Sequence, residues 1–278
     1  MNGKICMVTG ATSGIGLATA IELARKGATV IIVSRNPQRC QAAVLHIRQQ
    51  TGSSTVETIP ADLSSQFQIR QLAQAFQSRY SQLDVLVNNA GAFFLRRQES
   101  ADGVEMTFAL NHLNYFLLTY LLLDRLKASA PARIVNVASD SHRGARINFN
   151  DLQGKRGYNG FQAYGQSKLA NVLFTYELAR RLEGAQVTAN ALHPGFVATN
   201  IGKNNGLLAR LVMPIAQFNA IRPEEGARTG VYLASSPDVE GVSGTYFTRE
   251  KPVQSDPASY DLQAARQLWE ISAEMTGL

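Results

Sequence analysis

Short apolar runs alternate with longer segments whose apolar residues recur every three or four positions. The short runs predict buried parallel strands, and the longer periodicity predicts amphipathic helices. The predicted strands are residues 4–9, 28–33, 55–59, 83–87, 132–138, 187–192 and about 244–247, and the predicted helices are residues 37–50, 66–80, 104–127, 162–183, 223–234 and 258–278. This alternation, without an internal repeat or a linker, predicts one α/β domain over residues 1–278. We expect a doubly wound sheet of about seven parallel strands with helices on both faces.

A glycine-rich turn joins the first predicted strand to a helix. Gly10 allows a sharp turn, Gly14 lets the backbone approach a pyrophosphate, and Gly16 lets the helix pack close to the strand. The N–H groups and the positive dipole end of that helix would favour the phosphates. We therefore expect a dinucleotide on this loop. Its candidate binding residues are Gly10, Thr12, Ser13, Gly14, Ile15 and Gly16.

The end of the second predicted strand bears on the choice of dinucleotide. Ser34, Arg35 and Asn36 stand where an acidic residue would bind the ribose 2′-hydroxyl of NAD. A guanidinium beside a hydroxyl suits a 2′-phosphate instead, so this end predicts NADP(H). The alternative is that Arg35 caps the loop in water. After the third strand, Asp62 would accept from an adenine amino group or N-cap the next helix, as Ser64 or Ser65 would also do.

The ends of the later strands supply the remaining candidates for cofactor binding. Small and amide residues after the fourth strand would line the floor beneath the cofactor. The Pro–Gly turn after the sixth strand must return towards the site, where Thr199 would bond the amide or a phosphate. His193 is interpreted as structural, because Pro194 stiffens the loop. These candidates are Asn89, Ala90, Gly91, Pro194, Gly195, Val197 and Thr199, and Leu63 after the third strand joins them.

Tyr164 and Lys168 lie four residues apart in a predicted helix, which places the phenol and the ammonium on one face. A free tyrosine titrates near pH ~10, and a neighbouring ammonium favours the phenolate and lowers the pKa. Such a pair is a candidate acid–base catalyst near neutral pH. The same spacing is also typical of a surface tyrosine beside a solvated lysine.

Two further polar residues are candidates for the same site. Ser139 follows the fifth predicted strand, at the edge where open α/β sheets hold ligands. Asn111 interrupts a long apolar helix, where an amide lowers helix propensity. It therefore either finds a hydrogen-bond partner in the core or holds a water, and His112 beside it has the same two interpretations.

The composition limits the classes of function. The chain has 278 residues, of which 45% are hydrophobic and 17% charged, and its net charge is +6. The basic residues are scattered and the aromatic residues do not interleave with them, which argues against nucleic-acid binding. Cys6 and Cys40 lack the spacing of metal ligands, so we expect no metal and two free thiols in a reducing compartment.

The apolar segments of the chain also bear on membrane contact and on oligomer formation. The chain opens without a signal-peptide hydrophobic region, and its longest apolar run, 116–123, is too short to span a bilayer. We expect a soluble cytoplasmic protein. The apolar segment 206–218, within a predicted lid at 200–222, would cover an apolar substrate, touch a membrane peripherally or serve ordinary packing. The apolar excess of helices 104–127 and 162–183 suits a homodimer through them.

With these residues in place, the sequence resembles the short-chain dehydrogenase/reductase superfamily, which has a Rossmann-type fold, over essentially its full length. The motifs that carry the resemblance are residues 9–16, 62–63, 88–91, Asn111, Ser139, Tyr164 with Lys168, and 194–195. Longer matches at 111–113, 131–137, 166–174, 192–195 and 268–270 look like the microsomal retinol dehydrogenase group, which acts chiefly as NADPH-dependent retinal reductases. The residues from Met1 onwards show no counterpart of the N-terminal membrane anchor of that group, so we expect a departure from the group at this point.

The resemblance implies a role for each candidate catalytic residue. Tyr164 would donate a proton to a carbonyl oxygen, and Lys168 would lower its pKa and bind the nicotinamide ribose. Ser139 would polarise the carbonyl, and Asn111 would anchor a water leading protons to Lys168. The implied reaction is NADPH-dependent reduction of a hydrophobic, retinal-like aldehyde or ketone to the alcohol.

Three alternatives remain beside that reaction. One is reduction of another apolar carbonyl compound or a steroid. Another is a protochlorophyllide-reductase-like activity, which the lack of a cysteine after Cys40 and of an obvious large insertion disfavours. The third is a sensor that binds NADP without chemistry, and the presence of Ser139, Tyr164 and Lys168 disfavours it, since such proteins commonly lose the tyrosine and lysine.

Overall fold

The computed structural model describes residues 1–197 and 221–278. Its strands are β1 Ile5–Thr9, β2 Thr29–Val33, β3 Val56–Thr58, β4 Val85–Asn88, β5 Ala132–Val137, β6 Val187–His193, β7 Tyr246–Thr248 and β8 Lys251–Pro252. They form one sheet in the order β3-β2-β1-β4-β5-β6-β7-β8. β1 to β7 are parallel, and β8 pairs with β7 in the antiparallel direction.

Helices cover both faces of the sheet. The helices of the described residues are α1 Gly14–Arg25, α2 Pro37–Thr51, α3 Gln66–Arg79, α4 Met106–Ala128, α5 Gly160–Arg181, α6 Pro223–Ser235 and α7 Leu262–Thr276. α1, α2 and α6 pack on one face, and α3, α4 and α5 pack on the other. α7 lies across α4 and α5.

The strands are apolar because both of their faces are buried. In β1, Met7 and Val8 are both fully buried, yet Met7 belongs to the core under α3, α4 and α5 and Val8 to the core under α1, α2 and α6. Successive side chains of a strand point to opposite faces, so a strand covered on both sides needs a continuous apolar run. The pattern that predicted the strands is therefore the pattern that builds the two cores.

The order of the strands determines where a ligand can lie. From β1 the chain moves outwards to β2 and β3, and it then returns to build β4 to β7 on the other side of β1. The loops after β1 and β4 therefore leave the sheet in opposite directions and open a crevice at the carboxyl ends of these strands. The predicted doubly wound sheet with seven parallel strands is confirmed.

Two elements of the structure differ from the prediction. β8 was not predicted, because its two residues, Lys251 and Pro252, are exposed and carry no apolar pattern. The predicted helix from residue 258 begins instead at Leu262, where the Asp261 carboxylate accepts from the Ala264 N–H. The residues before it, Pro257–Tyr260, form a 3-10 turn.

The long helix α4 is apolar on several sides for a structural reason. By length and composition alone it could cross a membrane, but 72% of its most apolar window is buried inside the fold. A core helix passes the same test. α7 covers part of α4 and α5, with the Trp269 ring centre 4.9 Å from that of Phe116 and 5.8 Å from that of Phe174. A homodimer through these two helices would need their remaining surface and stays a prediction.

Candidate active site

α5 carries the two central groups of the site. It begins at Gly160, where the Asn159 side chain accepts from the backbone N–H groups of Phe161 and Gln162. The Lys168 Nζ lies over the Tyr164 ring, 5.6 Å from its centre, and donates to the Val137 carbonyl oxygen at 3.0 Å. Lys168 is 2% exposed, and this burial lowers the pKa of its ammonium to about 7. The predicted juxtaposition of phenol and amine is thus present in the fold.

The protonation of Tyr164 differs from the sequence-based expectation. Burial raises the pKa of Tyr164 to about 12, and a hydrogen bond with the Ser139 hydroxyl lowers it in part. The sequence predicted a lowered pKa, because a neighbouring ammonium favours the phenolate. Burial disfavours the charged forms of both groups and outweighs their attraction here. Tyr164 is therefore a protonated phenol at neutral pH, which is the form that can donate a proton.

Ser139 reaches Tyr164 from the carboxyl end of β5. It is the N-cap of a 3-10 turn, Asp140–His142, and its Oγ accepts from the Ser141 N–H at 3.2 Å. His142 Nδ1 lies 2.6 Å from the Ser139 carbonyl oxygen, and the Asp256 N–H donates to His142 Nε2 at 3.0 Å. His142 thus acts as a neutral donor that holds the backbone of Ser139.

Asn111 is fully buried in a π-helical turn of α4, Ala109–Leu113. Its Oδ1 accepts from the Ala92 N–H at 2.8 Å, and its Nδ2 donates to the Ala92 carbonyl at 3.0 Å. Its own carbonyl accepts from the Asn171 amide at 2.9 Å. Asn111 therefore holds the loop after β4. A Cβ on Gly91 of that loop would lie 3.1 Å from Asn111 Oδ1 and 3.6 Å from Lys168 Nζ.

His112 has the partners of a core residue. It is fully buried, with Nε2 2.9 Å from the Ser272 Oγ and Nδ1 3.4 Å from the Asn171 Oδ1. Burial lowers its pKa to about 4, so the ring is neutral. It links α4 to α7 and takes no visible part in the site.

The glycine loop after β1 forms a cradle that a side chain would fill. Gly10 has a φ of +66°, and a Cβ on Gly16 would overlap the Asn89 amide nitrogen and the Gly10 carbonyl oxygen. Asn89 Nδ2 donates to the Thr9 carbonyl at 2.7 Å, and the Thr9 Oγ1 accepts from the Asn89 N–H at 2.8 Å. The loops after β1 and β4 are thereby joined at the switch point of the sheet.

The start of α1 is suited to a phosphate group. The side chain of its N-cap residue, Ser13, makes no capping hydrogen bond, and its first turn contains no acidic residue. Free N–H groups at a helix N-terminus bind anions readily. The Thr12 Oγ1 lies 3.2 Å from the Ser34 Oγ and ties this loop to the end of β2. The open N-terminus and the glycine cradle together fit the pyrophosphate of a dinucleotide.

Arg35 is an exposed cation on the predicted adenosine side of the site. Arg35 has a 76% exposed side chain, and its Nη1 lies 3.8 Å from the Asp62 carboxylate. Asp62 Oδ1 accepts from the Ser64 N–H at 3.0 Å and from its hydroxyl at 2.7 Å, while Ser65 is the N-cap of α3. Asn36 caps α2 through the Arg39 N–H. Ser65, and not Asp62, therefore caps α3.

The turn after β6 lies at the same edge of the sheet. Gly195 has a φ of +88°, and Val197 pairs with Ile221 in an isolated parallel bridge. His193 accepts from the Asp140 N–H at Nδ1 and lies 3.3 Å from the Asp140 carboxylate at Nε2, in agreement with a structural role. Thr199 and the segment 206–218 lie outside the described residues.

Several contacts at the site were not among the predictions. Thr9 joins two strand ends, and Ser141 contacts Ser139. Phe93 lies beside Tyr164, with ring centres 5.8 Å apart, and beside Phe161 at 5.1 Å. The spacing of Phe161 three residues before Tyr164 would have placed both on one helical face. Within residues 1–197 and 221–278, no cluster of three His, Cys, Asp or Glu side chains could hold a metal ion.

A family model described as short chain dehydrogenase matches residues 4–207. The chain belongs to the short-chain dehydrogenase family. As a member of this family it is an oxidoreductase that uses a nicotinamide cofactor, and its sequence-based assignment is confirmed. The retinol dehydrogenase resemblance is confirmed as well: retinol dehydrogenase 14 of Mus musculus is 46% identical over 293 residues, which cover 100% of this chain and 87% of that protein.

Solved structures of this short-chain dehydrogenase fold are also similar. A crystal structure of an uncharacterised protein from Mycobacterium paratuberculosis has a TM-score of 0.81 and 34% identity, over 99% of this chain and 94% of that chain. Pseudomonas aeruginosa RhlG, in an active-site complex with NADP, has a TM-score of 0.72 and 31% identity, over 89% of this chain and 94% of that chain.

Proposed function

We propose that this short-chain dehydrogenase reduces an apolar aldehyde or ketone to the alcohol with NADPH. The observation that carries the proposal is the pairing of a protonated Tyr164 with the Ser139 hydroxyl, at the sheet edge that also holds the glycine cradle. A carbonyl oxygen between these two hydroxyls would meet two donors as negative charge develops on it.

Each residue of the site has its own role in the proposed reaction. The bound nicotinamide supplies the hydride. Ser139 Oγ donates to the carbonyl oxygen and orients it, and Tyr164 Oη delivers the proton that completes the alcohol. Lys168, with a pKa lowered to about 7, can gain or lose a proton near neutral pH beneath Tyr164. It is also the residue that would hold the nicotinamide ribose, as the family resemblance implies.

The preference for NADPH follows from the residues after β2. Ser34, Arg35 and Asn36 present no carboxylate to a ribose 2′-hydroxyl, and the Arg35 guanidinium is free to pair with a 2′-phosphate because its contact with Asp62 is long, at 3.8 Å. The NADP complex of Pseudomonas aeruginosa RhlG supports the same choice.

The apolar substrate is supported by the side chains around Tyr164. Phe93 and Phe161 extend from the Tyr164 ring as a continuous aromatic surface, and Phe161 is 74% exposed. Leu95 nearby in the same loop is 47% exposed. Such a surface favours a long apolar or conjugated chain. The name of the similar retinol dehydrogenase 14 points to retinal as the first compound of this class to test.

The proposal is tested by a substrate panel with purified protein. NADPH oxidation is followed with retinal, medium-chain aldehydes, ketosteroids and acyl thioesters, and each reaction is repeated with NADH. We expect turnover with retinal or another long apolar aldehyde and a higher kcat/KM for NADPH. The absence of NADPH oxidation with every carbonyl compound would overturn the proposal. Turnover of ketosteroids alone would favour the steroid reductase alternative.

A further inference from the structure

Two histidine side chains hold a single peptide unit, the one that joins Ser139 to Asp140. Its carbonyl oxygen lies 2.6 Å from His142 Nδ1, and its N–H donates to His193 Nδ1 at 3.2 Å. His142 belongs to the turn after β5, whereas His193 is the last residue of β6, the neighbouring strand. The orientation of this peptide unit fixes the backbone from which the Ser139 hydroxyl extends towards Tyr164.

The partners of each ring determine which of its nitrogens carries a proton. A carbonyl oxygen can only accept a hydrogen bond, and a backbone N–H can only donate one. His142 therefore carries its proton on Nδ1, and its bare Nε2 accepts from the Asp256 N–H at 3.0 Å. In His193 the Nδ1 is the bare nitrogen, so the proton lies on Nε2, 3.3 Å from the Asp140 carboxylate. The two rings are thus neutral and are opposite tautomers.

Protonation of either ring would remove one of these hydrogen bonds. The second proton of His142 would lie on Nε2 and face the Asp256 N–H. The second proton of His193 would lie on Nδ1 and face the Asp140 N–H. Two donors that face each other cannot form a hydrogen bond, so a backbone N–H group would lose its partner in each case. The hold on the turn therefore depends on the charge of both histidines.

The surroundings of the two rings favour their neutral forms. His142 is fully buried, and the His193 side chain is 15% exposed. Burial lowers the pKa of both rings and outweighs the attraction of the Asp140 carboxylate, and a charge on His142 would lower the pKa of His193 further. The other titratable and charged groups that face the rings are Arg143 of the turn, Tyr246 of β7, and Arg249 and Asp256 in the segments after β7.

We infer that His142 and His193 are positioning residues, which hold the Ser139 hydroxyl in the site only while both rings are neutral. Both act through the peptide unit after Ser139, so neither needs to touch the substrate. The inference rests on the proposed reduction, in which Ser139 orients the carbonyl group. It predicts a fall in kcat below pH ~6.5, where an ordinary histidine gains its proton. Tyr164 alone gives no such fall, because acid keeps the phenol protonated.

Nuclear magnetic resonance of protein labelled with nitrogen-15 histidine measures the tautomers without turnover. The chain has four histidines, and the exposed His46 serves as the internal control. At neutral pH we expect a proton on Nδ1 of His142 and on Nε2 of His193, and both rings should titrate at lower pH than His46. A charged ring at neutral pH, or the same tautomer in both rings, would overturn the inference.

Paired variants separate the hydrogen bonds from the titration. His142→Asn and His193→Asn place an amide near the position of Nδ1, so each keeps a contact with the peptide unit and gains no charge in acid. His142→Phe and His193→Leu remove that contact. With retinal and NADPH at neutral pH, we expect the second pair to lower kcat by about 10- to 100-fold, since a misplaced group costs up to about 10²-fold.

The asparagine variants should keep most of the neutral-pH kcat and lose part of its fall in acid. The Kd for NADPH should change little in all four variants, because the turn is held at Ser139 and the glycine cradle is left intact. His46→Asn is the matched control and should leave both quantities and the pH profile unchanged.

Each outcome decides the question. Full kcat in His142→Phe and His193→Leu would overturn the inference, as would a kcat of the unaltered protein that stays constant while both rings become charged. A loss of kcat with an equal loss of NADPH binding would also overturn it, since the rings would then only support the fold. If no carbonyl compound is reduced, the proposed function fails by itself, and the tautomers are still measured.

Discussion

The amine of Lys168 lies over the face of the Tyr164 ring, 5.6 Å from its centre, and both groups are driven towards their neutral forms by burial. A protonated phenol and an amine that titrates near neutrality are a suitable starting state for reduction, in which the enzyme gives up a proton. The same arrangement makes alcohol oxidation dependent on higher pH, because the phenol must first be deprotonated.

Replacing Tyr164 by phenylalanine removes the proposed proton donor and leaves the ring that packs against Phe93. We expect turnover to fall by about 10²–10⁴-fold, with NADPH binding close to that of the unaltered protein. Steady-state kinetics and NADPH fluorescence titration measure the two quantities. Tyr120→Phe, on the exposed side of α4, is the matched control. Substantial activity in Tyr164→Phe would remove the phenol from the mechanism.

Replacing Lys168 by methionine should stabilise the fold at neutral pH while abolishing activity. The pKa of Lys168 in the folded protein is about 7, whereas the ordinary pKa of a lysine is 10.5. Between these values the unfolded chain holds a proton that the folded chain has released, so the stability of the unaltered protein rises with pH. The cost of the buried amine is fully present below pH ~7 and disappears by pH ~10.5.

The gain from Lys168→Met is thus on the order of 3–5 kcal/mol at pH ~7 and shrinks as the pH rises. Urea unfolding at several pH values between these limits measures it. Lys127→Met, at an exposed position of α4, should change stability little at any pH. A gain that does not vary with pH would show that Lys168 is not neutral in the folded state.

Replacing Arg35 by alanine should weaken NADPH binding more than NADH binding. The guanidinium is expected to pair with the 2′-phosphate, and a charge-assisted contact of this kind contributes about 1.5–3 kcal/mol. The Kd for NADPH should therefore rise at least about tenfold, while that for NADH changes little. Arg79→Ala, at the exposed end of α3, controls for the loss of one positive charge. Equal losses for both cofactors would contradict the assignment.

Replacing Gly16 by alanine places a methyl group against Asn89 and Gly10 in the cradle. We expect a destabilisation of roughly 1–3 kcal/mol and weaker cofactor binding, because backbone on one side of the site must move. Gly230→Ala is the control: it is also helical, and its Cβ would make ordinary contacts at 3.7 Å and 3.8 Å. That variant should be as stable as the unaltered protein or more so by up to about 1 kcal/mol.

Replacing Phe161 by leucine tests the aromatic surface beside Tyr164. We expect kcat/KM for a conjugated aldehyde to fall by roughly tenfold, since stacking on an aromatic ring is worth about 0.5–1.5 kcal/mol beyond area burial. A saturated aldehyde of similar length should be affected less. Phe67→Leu on α3 is the control, because that ring is also exposed, at 67%. An equal loss for both aldehydes would mean that Phe161 supplies apolar area without selecting conjugated chains.

Much of the fold could be predicted because its strands and its glycine loop depend on local sequence patterns. The apolar runs that identified the strands are the residues that the two helix layers bury, as Met7 and Val8 illustrate. The glycine loop was recognisable because a sharp turn and a close helix approach exclude a side chain at Gly10 and Gly16. β8 left no such signal, since two exposed residues at a sheet edge bury nothing.

Local sequence was enough to predict the strand–helix alternation, the glycine cradle and the shared helical face of Tyr164 and Lys168, because each depends on neighbours within a few positions. The packing of the whole fold makes both groups neutral, because their burial depends on distant elements that surround them. It also brought Phe93 to Tyr164 and joined Asn89 to Thr9, contacts between residues far apart in the chain. Spacing along a sequence shows which groups share a face, whereas their charge depends on everything that excludes water from them.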